Sequence, residues 1–182
     1  RRGCGHVLGI VASSLVDLTT KLIRAATSLA DPATTQIKDA KGIYYFGESA
    51  LKGGKVAFLF PGEGAQYLNM LADVCIHFPE VRSFFDAADR AVGSAGRYPL
   101  SADIFPTPLM SYEEMKAAEE KLWKIERATE AVLTADGAMY ILLQRLGVVP
   151  DMITGHSAGE WVAMAAAGIL DFDEFVASAP RL

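Results

Sequence analysis

Apolar residues recur at Leu15, Leu18, Leu22, Ala26 and Leu29, in steps of three and four. That spacing predicts an amphipathic helix. Asp31-Pro32 ends it, because the residue before a proline is driven out of the helical region. Ile43-Tyr44-Tyr45-Phe46 predicts a short strand, and Lys52-Gly53-Gly54 a turn. The unbroken apolar run Val56-Ala57-Phe58-Leu59-Phe60 lies between glycines and Pro61. It predicts a central strand of a parallel sheet, buried on both faces. A loop over residues 61–66 and a helix from 67 to about 76 follow. Pro79 suits the first turn of the next helix, whose stripe of Val81, Phe84, Phe85, Ala88 and Val92 reads as core packing. Residues 93–110 are rich in glycine and proline and show no period. Ser111 with Glu114 forms a capping-box pattern, opening a charged, solvated helix to about residue 125. Residues 129–146 predict a long apolar helix stopped by Gly147. Pro150 leads into the short apolar run Met152-Ile153-Thr154, and a further helix covers 161–167. Gly168 can cap it, and Asp171 with Glu174 can start another helix. Residues 1–13 are glycine-rich and give no readable pattern.

Strands alternating with helices favour an α/β fold, with a parallel sheet flanked by helices. Residues 1–54 read as a small α/β linker region and 55–182 as the main core. The chain has 182 residues, of which 51% are hydrophobic, enough to bury a substantial core. A net charge of −5 and the lack of a basic stripe argue against nucleic acid as a partner. Two cysteines, Cys4 and Cys75, offer neither metal-ligand spacing nor a disulfide framework, which fits a reducing cytoplasm. The run after Arg1-Arg2 is too short and too glycine-interrupted for a secretory leader, and no stretch is long enough to span a membrane. A start at Arg1 and an end inside a helical pattern are what a piece of a longer polypeptide would show.

The chemistry concentrates in two places. Gly155-His156-Ser157-Ala158-Gly159-Glu160 sits between a strand and a helix, the context of a nucleophile elbow. A sharp turn there needs small neighbours, which Gly155 and Gly159 supply. The helix start favours negative charge near the serine oxygen. The second motif, Phe60-Pro61-Gly62-Glu63-Gly64-Ala65-Gln66, also follows a strand.

Together these motifs resemble the acyltransferase domains of polyketide and polyunsaturated fatty acid synthases and the malonyl-CoA:acyl carrier protein transacylases. The likeness extends over roughly residues 55–180, through Phe78-Pro79-Glu80-Val81, Leu146-Gly147-Val148-Val149-Pro150-Asp151 and Ala167-Gly168-Ile169-Leu170-Asp171-Phe172. It implies a truncated, α/β-hydrolase-like large subdomain, preceded by the linker that follows a ketosynthase. It also implies that Ser157 attacks an acyl-CoA, with malonyl the expected acyl group. The resulting acyl-serine passes its acyl group to the phosphopantetheine thiol of an acyl carrier protein. No metal and no covalently bound cofactor is implied. Backbone N–H groups of Glu63 and Ala158 would hold the oxyanion, supported by Gly62, Gly64 and Gln66.

Glu63 stands where the family has glutamine, and a carboxylate there opposes an oxyanion unless it is protonated or turned away. Ala65 replaces a common serine, and Glu130-Ala131 replaces Gln-Pro. The family's catalytic histidine falls beyond Leu182. Of His6, His77 and His156, the last adjoins the nucleophile, and packing behind the elbow is its expected role. Glu160 is expected to brace the elbow helix. Arg181 is the candidate for the substrate carboxylate, one residue out of register after Pro180. The chain alone is therefore expected to be inactive. A serine hydrolase or thioesterase on a related scaffold, and a non-catalytic module derived from an acyltransferase, remain as alternatives.

Overall fold

A computed structural model describes residues 6–47, 54–171 and 174–175. The chain forms two compact units, residues 1–55 and 56–182. In the first, strands β1 (Val7–Ile10), β2 (Gln36–Asp39) and β3 (Ile43–Phe46) make an antiparallel sheet in the order β1-β3-β2. Only β3 was legible as a strand. The glycine in Val7-Leu8-Gly9-Ile10 and the single apolar residue in Gln36-Ile37-Lys38-Asp39 leave no alternation to read. Gly42 turns β2 into β3 at φ 100°, where a side chain would also meet the Val11 carbonyl oxygen at 2.7 Å.

Helix α1 (Leu15–Leu29) begins at Ser14, whose hydroxyl accepts from the Asp17 N–H. Its buried residue is Ala25, and Ala26, assigned to the apolar stripe from sequence, is exposed. Leu15 and Leu22 are exposed as well. Arg24 ties the helix to β2 through Asp39, at 3.1 Å.

The second unit contains β4 (Ala57–Phe60), β5 (Met152–Gly155) and helices α2 (Ala72–His77), α3 (Pro79–Ser94), α4 (Ser101–Ile104), α5 (Tyr112–Leu122), α6 (Ile125–Arg145) and α7 (Gly159–Ala166). The two strands are parallel, with Phe60 opposite Gly155. Asp151 fixes this register by accepting from the Val56 N–H at 2.9 Å. Both strands therefore end at the same level, and the loops that follow them emerge side by side.

The β4 run is not buried on both faces. Phe58 and Phe60 face the core, whereas Leu59 is 72% exposed. Among the described residues β4 pairs with β5 alone. An apolar run records that a strand can be covered, and it cannot say by what.

Helices α3 and α6 form the centre of the core. The whole stripe Val81, Phe84, Phe85, Ala88 and Val92 is buried. Gly137 lets α6 approach it, since a Cβ there would lie 2.5 Å from the Phe84 ring. Helix α6 is buried nearly all round, which explains its apolar character. The Ser111–Glu114 capping box forms with both hydrogen bonds. Two elements depart from the sequence pattern. The helix expected from residue 67 starts only at Ala72, because Asn69 and Leu71 adopt left-handed φ values of 61° and 62°. The aperiodic 93–110 segment contains α4, pinned where Asp89 accepts from the Ser101 N–H and hydroxyl. Asp171 does cap the start of a further helix at Glu174, and the rest of that expected helix lies outside the described residues.

Asp136, on α6, borders a cavity of about 190 Å³ against β4. One of its carboxylate oxygens is buried without a hydrogen-bond partner. Burial pushes its pKa up from 3.8 to about 7. A raised carboxyl pKa stabilises the fold fully below about pH 4, and that stability is lost as pH rises through about 7. Asp136→Asn is expected to abolish this loss. Discounting for the open side of the cavity, it should gain about 2 kcal/mol over the native chain at pH 8 and little at pH 4. Urea midpoints at the two pH values measure it; equal gains at both would refute the assignment.

Candidate active site

The chain leaves β5 at Gly155 and enters α7 at Gly159, and between them Ser157 sits at φ 53°. A non-glycine residue there is strained and persists only where its surroundings enforce it. They do so by contact. A Cβ at Gly155 would lie 2.3 Å from the Gly159 carbonyl group, and one at Gly159 would lie 2.3 Å from the Phe60 oxygen. The N–H groups of Gly159 and Glu160 close the turn onto the carbonyls of His156 and Ser157, each at 3.0 Å. The strand, sharp turn and helix expected around Ser157 are present.

The loop after β4 presses against this turn. The His156 N–H donates to the Phe60 carbonyl at 3.0 Å, and a Cβ on Gly62 would lie 2.7 Å from the His156 oxygen. Gly64 has φ 107° and open space around it, so its requirement is conformational. Its N–H donates to Gln66 Oε1 at 2.7 Å. Gln66 is 3% exposed, and its amide nitrogen has no hydrogen-bond partner.

Glu63 is the centre of the site. Ser157 Oγ donates to Glu63 Oε2 at 3.0 Å, and Thr129 Oγ1 lies 2.8 Å from Oε1. The backbone N–H groups of Glu63 itself and of Ala158 add favourable electrostatics to this carboxylate. These donors hold its pKa below the usual glutamate value: foremost its own N–H, then Thr129, with Ser157 and Ala158 adding to them against a smaller opposing effect of burial. The carboxylate is neither protonated nor turned away, the two conditions under which the sequence allowed it beside an oxyanion.

The remaining candidates are more dispersed. His156 is exposed at the turn, beside Gly62, rather than packed behind it. Among the described residues Ser157 has no histidine partner. His77 ends α2, and His6 bonds the Tyr45 hydroxyl at 2.8 Å in the first unit. Glu160 is exposed in the first turn of α7, where its charge suits the helix N-terminus. Arg181 lies outside the described residues. No group of three or more described His, Cys, Asp or Glu side chains could hold a metal, and no described helix is long and apolar enough to cross a membrane. A cavity of about 800 Å³ lies between α3, α6 and α7 and includes none of the elbow residues.

Sequence reasoning missed Thr129. A threonine opening an apolar helix carries no signal of a contact made 66 positions away. It also left the part played by Glu130 open. That residue is buried, accepting from Arg127 Nη1 at 3.1 Å and paired with Arg97.

No family model matches the chain. The malonyl CoA-acyl carrier protein transacylase of Escherichia coli strain K12 is 36% identical over 123 residues, 66% of this chain and 35% of that protein. One chain of a polyunsaturated fatty acid synthase from Thraustochytrium is 29% identical over 139 residues, 74% of this chain and 5% of that protein. Among solved structures, a malonyl-transacylase in complex with its type II polyketide synthase acyl-carrier protein superposes with a TM-score of 0.57 at 33% identity, over 70% of this chain and 37% of that one. The chain thus spans about a third of the length of the transacylases it matches. Turn, facing loop and these similarities agree in supporting an acyltransferase domain like that of the malonyl-CoA:acyl carrier protein transacylases.

Proposed function

We propose that the protein carrying this chain transfers an acyl group, malonyl in the simplest case, from coenzyme A to the phosphopantetheine thiol of an acyl carrier protein. Residues 55–182 are the N-terminal part of the acyltransferase domain, and residues 1–54 the linker from a preceding synthase domain. The observation that carries the reading is the seating of the two motifs against each other. Ser157 on its strained turn donates to the Glu63 side chain at 3.0 Å, and the His156 N–H donates to the Phe60 carbonyl at 3.0 Å. The Glu63 loop therefore faces the serine and the start of α7 at Ala158. That seating supports the arrangement acyl transfer needs, a nucleophile beside two donors for the charge it creates.

Ser157 Oγ attacks the thioester carbon, the carbon–sulfur bond breaks, and coenzyme A leaves as the thiol with the serine proton. The carrier thiol then attacks the acyl-serine and returns a proton to Ser157. In the family this proton moves through a histidine later in the chain, so the activity belongs to the longer protein, and this chain alone is expected to be inactive. Arg181 remains the candidate partner for the malonyl carboxylate.

The test is incubation of the protein with malonyl-CoA and a phosphopantetheinylated carrier protein. A malonyl thioester on the carrier is the expected product. Free malonate with no loaded carrier would instead identify a hydrolase, and no turnover with no acyl-serine would identify a non-catalytic module.

A further inference from the structure

Ser157 is exposed, and its strained backbone fixes only the direction of its Cα–Cβ bond. The hydroxyl is still free to choose among staggered positions. It takes one of them, with Oγ donating to Glu63 Oε2 at 3.0 Å. The other carboxylate oxygen, Oε1, lies 2.8 Å from Thr129 Oγ1 on α6. We propose that the Glu63 side chain is a positioning residue for the nucleophile, and that Thr129 holds it in place. This role rests on the acyl-serine reading above.

Protons give this chain of contacts a direction. A carboxylate only accepts, so both protons come from the hydroxyls. Thr129 Oγ1 also lies 2.9 Å from the Ile125 carbonyl. It has a single proton, and the charged acceptor is the stronger of the two. Thr129 therefore donates to one oxygen of Glu63, and Ser157 donates to the other. With its proton committed, Ser157 Oγ keeps its lone pairs for a thioester carbon. The loop is seated against the turn independently of these hydroxyls. A Cβ on Gly62 would lie 3.0 Å from Ser157 Cβ, and the His156 N–H bonds the Phe60 carbonyl. Glu63 is thus carried on a seated backbone and tied at each oxygen from a different element. A bystander on a loop would need neither tie. Attack requires reacting atoms about 3–3.5 Å apart and aligned, so a hydroxyl already aimed lowers the entropic part of the barrier.

Glu63→Gln and Glu63→Leu both remove the charge, and only leucine removes the acceptor. Single-turnover acylation of Ser157 by malonyl-CoA is followed by intact mass in the full protein. It is expected to be about tenfold slower in Glu63→Leu than in Glu63→Gln, at an unchanged half-saturating concentration. Equal rates in the two variants overturn the proposal, and equal rates far below the native one would make Glu63 the base. Thr129 gives a second pair should the leucine variant not fold. Thr129→Val is expected to slow acylation about threefold and Thr129→Ser to restore it. A valine variant at the native rate, or a serine variant as slow as valine, overturns the proposal too. A further readout needs no acyl-CoA: labelling of Ser157 by phenylmethylsulfonyl fluoride, in which Oγ bonds sulfur and fluoride leaves with the serine proton. The same order, glutamine above leucine, is expected, and equal labelling overturns the proposal. If labelling keeps this order while no variant forms an acyl-serine, positioning holds and the acyltransferase reading is what fails.

Discussion

Ser157→Ala is expected to remove acyl transfer altogether, with a fall of about 10⁴-fold or more in rate and no acyl adduct detectable on the protein. The size follows from the mechanism. Without the hydroxyl the two-step exchange has no first step, and the oxyanion donors can only assist direct attack by the carrier thiol. The fold should not suffer. Ser157 is exposed, alanine accepts the same φ of 53° at similar cost, and Glu63 keeps its contact with Thr129. Intact mass after incubation with malonyl-CoA, alongside a urea midpoint, checks both parts. An alanine variant that still loads the carrier within tenfold of the native rate would remove Ser157 from the mechanism.

The elbow was legible because its chemistry is local. Gly155 and Gly159 are required by contacts with their own neighbours and with the end of β4, and a six-residue string records that requirement. The stripe on α3 was legible for a similar reason, since one helix face repeats every turn. What could not be read was anything set by a distant partner. The exposed face of β4, the left-handed break at Asn69 and Leu71, and the meeting of Thr129 with Glu63 all depend on which residues the fold brings alongside. The glutamate itself was visible as a departure from the family, and the direction of its carboxylate was not. The hydroxyls of Thr129 on α6 and Ser157 on the elbow decide that direction, and sequence carries no record of their convergence.

A partner-dependent feature also sets the largest expected loss of stability. Arg127→Met should destabilise the second unit by about 3 kcal/mol, the lower end of the cost of breaking a buried ion pair. Arg127 Nε lies 3.0 Å from Asp103, its Nη1 3.1 Å from Glu130, and its Nη2 donates to the Tyr98 carbonyl at 2.7 Å. Both carboxylates are buried. The Asp103 contacts have ion-pair distances without hydrogen-bond alignment, so their strength is Coulombic and needs the charge itself. Lys121 and Arg97 remain after the substitution, which keeps the cost from rising further. Trp123 and Trp161 both lie in the second unit, so tryptophan fluorescence reports its unfolding alone. A fall of roughly 6–12 °C in its melting temperature corresponds to that energy. Replacing all three residues, Arg127→Met with Asp103→Leu and Glu130→Met, should recover most of the loss, because the penalty is the stranded charge. A single variant within about 1 kcal/mol of native, or a triple variant worse than the single, would contradict this account. Glu130 adjoins Thr129, so the same cluster holds the turn of α6 that reaches Glu63.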